Sequence, residues 1–292
     1  MSRIDEALRR AEHIPNTTRG QNRVADGSLR LADELTIEQY PVESRPVAER
    51  ENKPLTRPDD PGVLTQVNLD SSSKLIVGPN RNAVSLEQYR RLAATLHEAQ
   101  VEKGLKTVMV TSATSREGKT LTVVNLALTL SESYGRRVLL IDADLRRPAI
   151  HEVLGIPNDR GLSEVLREAS LDLPLVHVSP HLAVLTSGRH AQNPQAALSS
   201  EMMRTLLQDT AERFDWVLVD TPPVGLLSDA QILGHVAQAV VFVIRAGSTP
   251  FQLVEKAVAE LGRDRIIGTV LNGLEDYAIR ASGYYDDDYY RE

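Results

Sequence analysis

The residue pattern with the clearest chemistry is the octet Ala113–Thr120, which reads Ala-Thr-Ser-Arg-Glu-Gly-Lys-Thr. It matches the spacing of a phosphate-binding loop, with Ala in place of the first glycine. In such a loop the backbone N–H groups converge on phosphate oxygens, and the N-terminus of the following helix adds partial positive charge. Lys119 supplies an ammonium for the phosphates, and Thr120 supplies a hydroxyl that binds Mg²⁺. The octet therefore predicts a nucleotide site, formed by Ser115, Glu117, Gly118, Lys119, Thr120 and the adjoining Leu121.

Two further segments are predicted to place carboxylates beside this loop. The apolar run Val138–Ile141 leads into Asp142 and Asp144, and the apolar run Trp216–Val219 leads into Asp220. At the carboxyl edge of an open parallel sheet, where ligands bind, these side chains would converge on the Mg²⁺ and the γ-phosphate. A single Asp at a strand end is commonly only a turn former. Because two such strands flank the phosphate loop, we favour a metal site over the interpretation of these residues as turn formers.

The apolar patterns also predict the elements that position these residues. A strand, Thr107–Ser112, precedes the octet and a helix, Lys119–Ser133, follows it. The remaining predicted elements are the strand Arg137–Asp142, the helices Pro148–Leu154 and Leu162–Glu168, the strands Leu175–Val178 and Leu182–Leu185, the helix Pro194–Arg213, the strand Trp216–Asp220, the helix Asp229–Val236, the strand Ala239–Arg245, the helix Gln252–Leu261 and the strand Ile266–Leu271. This alternation predicts an α/β fold, a P-loop NTPase domain with a doubly wound, mainly parallel sheet and helices on both faces.

Composition and charge exclude several classes of protein. The 292-residue chain is 41% hydrophobic and has a net charge of -7, which argues against a nucleic-acid binder. It contains no cysteine, so disulfides and thiolate metal sites are excluded. The apolar run Val240–Ile244 is stopped by Arg245, and the chain has no run of about 18 apolar residues, the length needed to span a membrane. The first residues lack an apolar signal core, and we expect a cytoplasmic protein without a membrane span.

The chain divides into three predicted parts. Residues 1–75 combine a short amphipathic helix at 2–13 with a disordered tether rich in proline and charge. Residues 76–275 form the P-loop domain, and residues 276–292 form a flexible tail that holds five of the eight tyrosines. Acidic residues and Gly283 make a final strand unfavourable there, so we interpret the tail as a phosphorylation substrate. The helix at 2–13 is either a docking peptide for a membrane partner or a frayed end without a role.

Four segments of the chain resemble the bacterial tyrosine kinases of capsular and exopolysaccharide systems, which are related to partition-type P-loop ATPases. They are the octet, Ile141–Arg146, Val219–Pro223 and the tyrosine-rich C-terminus, and together they span about residues 80–292. The Asp-x-Asp-x-Arg pattern within Ile141–Arg146 discriminates best. Partition-type ATPases usually differ at that point and start the loop with Lys-Gly-Gly.

The resemblance implies an ATP-dependent protein-tyrosine autokinase that regulates polysaccharide polymerisation or export. It implies roles for Lys119, Asp142, Asp144 and Arg146 in catalysis, for Thr120, Asp142 and Asp220 in holding Mg²⁺, and for Asn272 in contacting the nucleotide. Asn272 is equally well interpreted as a turn former. The phosphorylated residues would be Tyr277, Tyr284, Tyr285, Tyr289 and Tyr290.

The resemblance also implies partners. A kinase of this kind works with a membrane polysaccharide co-polymerase, or chain-length-determinant adaptor, that recruits it to the inner face of the cell membrane. A homo-oligomer is expected as well. Glu87 and Arg90 match the first two positions of the family's Glu-x-x-Arg-x-x-Arg assembly motif, and Ala93 occupies the third.

Two other functions are compatible with the loop. One is a partition-type ATPase, similar to ParA or MinD, that acts as a nucleotide-dependent positioning or assembly switch. The other is a nucleotide-binding adaptor without catalysis. The kinase is favoured by the set Asp142, Asp144 and Arg146, by the missing N-terminal Lys of the loop, and by the tyrosine tail.

Overall fold

The computed structural model describes residues 75, 83–189, 191–225 and 228–274. The predicted helix at 2–13, the tether and the tyrosine tail lie outside these residues.

Seven strands form one sheet in the order β3-β4-β2-β5-β1-β6-β7. Their bounds are β1 Thr107–Ser112, β2 Val138–Asp142, β3 Val176–Ser179, β4 Leu182–Leu185, β5 Trp216–Asp220, β6 Ala239–Arg245 and β7 Ile266–Asn272. Neighbouring strands are parallel except β3 and β4, which are antiparallel. The predicted doubly wound, mainly parallel sheet is confirmed.

Helices pack on both faces of this sheet. In the described part of the chain they are α1 Ala83–Lys103, α2 Lys119–Leu128, α3 Ile150–Leu154, α4 Leu162–Glu168, α5 Pro194–Leu198, α6 Glu201–Arg213, α7 Ser228–Val236 and α8 Phe251–Leu261. Helix α2 continues into a π-helical turn, Thr129–Ser133. No helix within the described ranges has the length and apolar character that crossing a bilayer requires.

The two layers of helices explain why the central strands are apolar on both sides. In β5, Trp216 and Leu218 lie in one buried cluster while Val217 and Val219 lie in the other. Parallel sheets covered on both faces have this near-continuous apolar pattern. The side chains at the carboxyl ends of the strands are therefore held on a rigid, buried platform.

One predicted helix is wrong, because Pro194–Arg213 is two helices. The side chain of Asn193 accepts a hydrogen bond from the backbone N–H of Ala196 at 3.1 Å, so it caps the start of α5. The Ser200 hydroxyl accepts one from the N–H of Met203 at 3.3 Å and starts α6. Ser and Asn are preferred at helix N-caps because they satisfy such free N–H groups.

Helix α1 contains Glu87, Arg90 and Ala93, the three positions compared above with the family's assembly motif. Glu87 is half-buried and lies within ion-pair distance of two exposed arginines, Arg90 at 3.9 Å and Arg91 at 3.7 Å. Ala93, at the motif's third position, is fully buried. A small residue there fits the packing of α1 onto the domain.

Candidate active site

The octet Ala113–Thr120 forms a loop between β1 and α2. Gly118 precedes the helix with φ 92°, in the left-handed region that favours glycine. A Cβ at this position would lie 1.9 Å from Nδ2 of Asn272, so a larger residue would displace the Asn272 side chain. Arg116 also has a positive φ, 65°, which is unusual for a residue with a side chain.

Lys119 lies beside the carboxylates predicted to share its site. Its Nζ is 3.1 Å from Oδ2 of Asp144, and both side chains are largely buried. Burial opposes the ammonium charge, but the attraction of Asp220 and Asp144 outweighs it and raises the pKa of Lys119 above its ordinary value. The lysine therefore remains charged, as a phosphate ligand must.

Thr120 and Asp220 form a second pair in the same site. The Thr120 hydroxyl donates a 2.7 Å hydrogen bond to Oδ2 of Asp220. The other carboxylate oxygen of Asp220, Oδ1, is buried and has no hydrogen-bond partner among the described residues. Burial raises the pKa of Asp220 to about 6, although Lys119 and Thr120 oppose the shift.

Asp142 lies next to Asp220 across the β2–β5 pairing but has different partners. Its Oδ2 accepts hydrogen bonds from the N–H groups of Ala149 and Ile150, both at 3.1 Å, and its Oδ1 accepts one from Asp144 at 3.3 Å. Asp142 thus ties the start of α3 to the end of β2. Burial, together with the charge of Asp220, raises the pKa of Asp142 to about 8.

Arg146 is held by a residue that the sequence did not indicate. Its Nε donates a 2.6 Å hydrogen bond to Oδ2 of Asp229, and its Nη2 lies 3.3 Å from Oδ1. The Asp229 side chain is 1% exposed whereas that of Arg146 is 38% exposed. A buried carboxylate therefore orients an accessible guanidinium at the edge of the site.

The opposite side of the loop is held by residues from β6, β7 and the turn after β6. Glu117 is buried, and its carboxylate accepts hydrogen bonds from the N–H of Thr114 at 2.6 Å and from the hydroxyl of Thr249. The amide of Asn272 donates to the carbonyl of Glu117 at 2.8 Å. The guanidinium of Arg245 donates to the carbonyl of Arg116 at 3.1 Å.

The structure brings most of the predicted site residues together. Lys119, Thr120, Asp142, Asp144 and Asp220 form one buried cluster, and Arg146 lies at its edge. Glu117, Gly118 and Asn272 form the far wall of the loop, Ser115 is exposed on it, and Leu121 is half-buried in α2. The five tail tyrosines lie outside the described residues.

The donor set fits a magnesium ion bound together with a nucleotide. The described residues contain no cluster of three or more His, Cys, Asp or Glu side chains suited to a metal ion. Mg²⁺ in nucleotide sites is commonly held by one or two carboxylates together with waters and substrate phosphates. The unpartnered Oδ1 of Asp220 and the adjacent Thr120 hydroxyl supply such oxygens.

Comparisons with known proteins agree with this geometry. The model of the CobQ/CobB/MinD/ParA nucleotide binding domain matches residues 108–279. The chain is 39% identical over 207 residues to the tyrosine-protein kinase YwqD of Bacillus subtilis (strain 168), a match that covers 70% of this chain and 87% of YwqD.

Two further matches point the same way. The chain is 33% identical over 224 residues to the tyrosine-protein kinase wzc of Salmonella typhi, covering 75% of this chain but only 30% of wzc. The kinase domain of Escherichia coli tyrosine kinase ETK matches with a TM-score of 0.65 and 31% identity, covering 76% of this chain and 92% of that domain. The chain therefore belongs to the CobQ/CobB/MinD/ParA family of nucleotide-binding domains and, within it, to the bacterial tyrosine-protein kinases.

Proposed function

We propose that this chain transfers the γ-phosphoryl group of ATP to tyrosines of its own C-terminal cluster. The observation that carries the proposal is the convergence of Lys119, Thr120, Asp144 and Asp220 at the carboxyl edge of the sheet. A phosphate loop with carboxylates on its β2 and β5 side has the parts that phosphoryl transfer needs, which are charge stabilisation, a metal ligand and a base. The acceptors would be Tyr277, Tyr284, Tyr285, Tyr289 and Tyr290.

Each side chain then has a physical role. Lys119 and the loop N–H groups bind the β- and γ-phosphates and stabilise the charge that develops on them. Thr120 and Asp220 would hold Mg²⁺, which neutralises phosphate charge when bound. Asp142 supports the metal site from the adjacent strand and keeps the start of α3 in place through its three backbone hydrogen bonds.

Asp142 and Asp144 are the two carboxylates that could accept the proton of the tyrosine hydroxyl, and Asp144 is the better placed. Both oxygens of Asp142 are occupied by backbone N–H groups, whereas Asp144 accepts from the N–H of Arg147 with Oδ1 and from the ammonium of Lys119 with Oδ2. If bound phosphates drew this ammonium away, Oδ2 of Asp144 would be free to accept the phenol proton, while Oδ1 stayed bonded to the N–H of Arg147. Because a phenol has a pKa near ~10, the carboxylate acts mainly by orienting the hydroxyl and taking the proton late in the transfer.

We further propose that the kinase works at the inner face of the cell membrane. Its partner would be a polysaccharide co-polymerase or chain-length-determinant adaptor, and the active form would be a homo-oligomer. The membership of the chain in the bacterial tyrosine kinases supports this context. The exposed Glu87–Arg90 side of α1 is the surface proposed for assembly.

Phosphotyrosine mass spectrometry on the full chain expressed alone tests the reaction. We expect phosphate on the tail tyrosines of the wild type and none on Lys119→Met, because that variant lacks the ammonium at the phosphates. Circular dichroism should show that Lys119→Met is folded, since Lys119 takes no part in the apolar clusters. Phosphotyrosine in Lys119→Met, or phosphate outside the tail in the wild type, would contradict the proposal.

A partition-type ATPase is the second candidate, because the matching family model includes MinD and ParA. It predicts nucleotide-dependent dimerisation and ATP hydrolysis without any phosphotyrosine. The same samples therefore distinguish the two functions.

A further inference from the structure

Exposed arginines surround the candidate site at the carboxyl edge of the sheet. Arg116 follows β1, Arg146 and Arg147 follow β2, Arg189 follows β4, and Arg245 ends β6. We call these five residues the arginine rim. They are all exposed, in a chain whose net charge is -7.

The carboxylates at the same strand ends are buried beneath the rim. The exposed fractions are 0% for Asp142 and Asp220, 4% for Asp144 and 2% for Glu117. Asp159 contributes an exposed acid in a loop near β4, where Asn158 accepts a hydrogen bond from Gly188. The outer surface of this edge is nevertheless dominated by guanidinium groups.

Most of these guanidinium groups have no acidic partner within the described part of the chain. Arg146 pairs with Asp229, and Arg245 donates to a backbone carbonyl. The ion pairs between described residues include none for Arg116, Arg147 or Arg189. Unpaired guanidinium groups with planar donors are suited to binding carboxylates and phosphates.

The tail has the complementary charge. Residues 275–292 contain six acidic residues and two arginines. The acids stand directly beside the tyrosines, since Glu275 and Asp276 precede Tyr277 and the run Asp286–Asp288 separates two tyrosine pairs. A site that binds these acidic side chains would therefore also position the neighbouring tyrosines.

The direction of β7 favours a tail from another copy. β7 is parallel to β6, so the chain leaves it in the direction in which the strands point. The exit is beside the rim, because a Cβ on Gly273 would lie 3.5 Å from Cγ of Arg245. Strands β6 and β1 lie between this exit and the carboxylates of β5 and β2, so a tail bound in its own site would have to cross back over two strands, and a tail from a second copy would not.

We propose that the arginine rim binds the acidic residues of the tail of a second copy and so selects tyrosines with acidic neighbours. This inference rests on the proposed function, because the tail is the substrate there. Exposed ion pairs are individually weak, so recognition depends on several arginines and is screened by salt.

Acceptor kinetics test the proposal. The enzyme is the full chain with its five tail tyrosines changed to Phe, and the acceptor is the full-length Lys119→Met protein. Adding Arg147→Gln and Arg189→Gln to the enzyme should raise the KM for the acceptor about three- to tenfold, with kcat and the KM for ATP unchanged. Arg204→Gln with Arg213→Gln, two exposed arginines on α6, is the charge-matched control and should leave all three constants unchanged.

A double-mutant cycle tests whether the rim arginines contact the acidic residues of the tail directly. Changing Asp286, Asp287 and Asp288 of the acceptor to Asn should raise its KM by a similar factor. Combined with the two rim substitutions, the effect should be smaller than the product of the separate effects. Independent effects, equal loss in the α6 control, or a parallel rise in the KM for ATP would overturn the proposal.

A binding measurement separates this inference from the proposed function. Fluorescence anisotropy would follow a synthetic peptide of residues 275–292 binding to the full chain whose own Asp286–Asp288 are Asn. Salt-sensitive binding that is weakened about three- to tenfold by Arg147→Gln with Arg189→Gln but kept in the α6 control would support the rim even if no phosphotyrosine formed. Equal binding to all three proteins would overturn the rim even if the tail were phosphorylated.

Discussion

The two flanks of the phosphate loop have opposite character. The acidic flank, at the ends of β2 and β5, consists of Asp142, Asp144 and Asp220. The clamp flank, at the ends of β6 and β7, consists of Arg245, Thr249 and Asn272. The acidic flank contacts the reactive side chains Lys119 and Thr120, whereas the clamp flank contacts loop carbonyls and the buried carboxylate of Glu117.

This difference separates chemistry from positioning. Buried charge with raised pKa values is concentrated on the acidic flank, as expected where phosphate and metal bind. The clamp flank holds a loop that contains Arg116 at φ 65°, a conformation that costs free energy without support. Substitutions on the acidic flank should therefore lower kcat, and those on the clamp flank should raise the KM for ATP.

The largest effect is expected from Asp220→Asn. The change keeps the shape and the hydrogen bond to Thr120 but removes the charge proposed to hold Mg²⁺, so kcat should fall by at least about 100-fold. Its thermal midpoint without nucleotide should stay the same or rise, because a buried charge with an unpartnered oxygen is removed. Autophosphorylation rates and differential scanning fluorimetry measure the two effects. Unfolding of the variant with full specific activity in its folded fraction would make Asp220 a structural residue.

Asp142→Asn is the matched comparison on the adjacent strand. The NH2 group that replaces one carboxylate oxygen would face backbone N–H groups. Because both are donors, the hydrogen bonds that this oxygen of Asp142 now accepts would be lost. The variant should therefore lose about 1–3 kcal/mol of unfolding free energy as well as activity. Urea denaturation of both variants tests the contrast. Equal stability of the two would mean that the hydrogen bonds of Asp142 contribute little.

The acidic flank was predictable from sequence, whereas on the clamp flank the sequence pointed to Asn272 but not to Arg245 or Thr249. Each Asp follows an apolar strand, and the phosphate loop is a local motif, so short patterns sufficed. The partners Thr249 and Glu117 are 132 residues apart, and Arg146 and Asp229 are 83 apart. No local pattern links such residues, because only the strand order brings them together. The break at Ser200 was missed because Ser fits both a helix interior and an N-cap.

A smaller effect is expected from Thr249→Val on the clamp flank. The change preserves shape but removes the hydroxyl that Glu117 accepts from, which leaves a buried carboxylate oxygen without this partner. The KM for ATP should rise about three- to tenfold while kcat is retained, because the loop is less well held. Thr205→Val is the control, since the Thr205 hydroxyl bonds only a carbonyl of its own helix. If only kcat fell, Thr249 would act in catalysis and not in positioning the loop for ATP.

The smallest effect concerns protons on the acidic flank. With the pKa of Asp142 at about 8 and that of Asp220 at about 6, the nucleotide-free pair retains protons near neutral pH. Metal ligation favours the ionised forms, so binding of Mg²⁺ with ATP at pH 7 should release on the order of one proton. The release should fade above about pH 9. Titration calorimetry in two buffers of different ionisation enthalpy measures it, and Asp220→Asn should release less.

The same shifts determine how pH affects the stability of the nucleotide-free protein. Both native pKa values lie above the unfolded value of about 4, so between pH ~4 and pH ~8 the native state binds more protons than the unfolded state. These two groups therefore make the free energy of unfolding fall as pH rises through that window, and they add no pH dependence below it, where both states are protonated. Asp220→Asn removes one buried charge and lowers the pKa of Asp142, so its stability relative to wild type should be about 1–2 kcal/mol greater at pH 8 than at pH 5. A pH-independent difference would mean that both carboxylates are already ionised at pH 5. Lys119 and the backbone N–H groups would then be sufficient to stabilise the negative charges of the acidic flank without a metal ion.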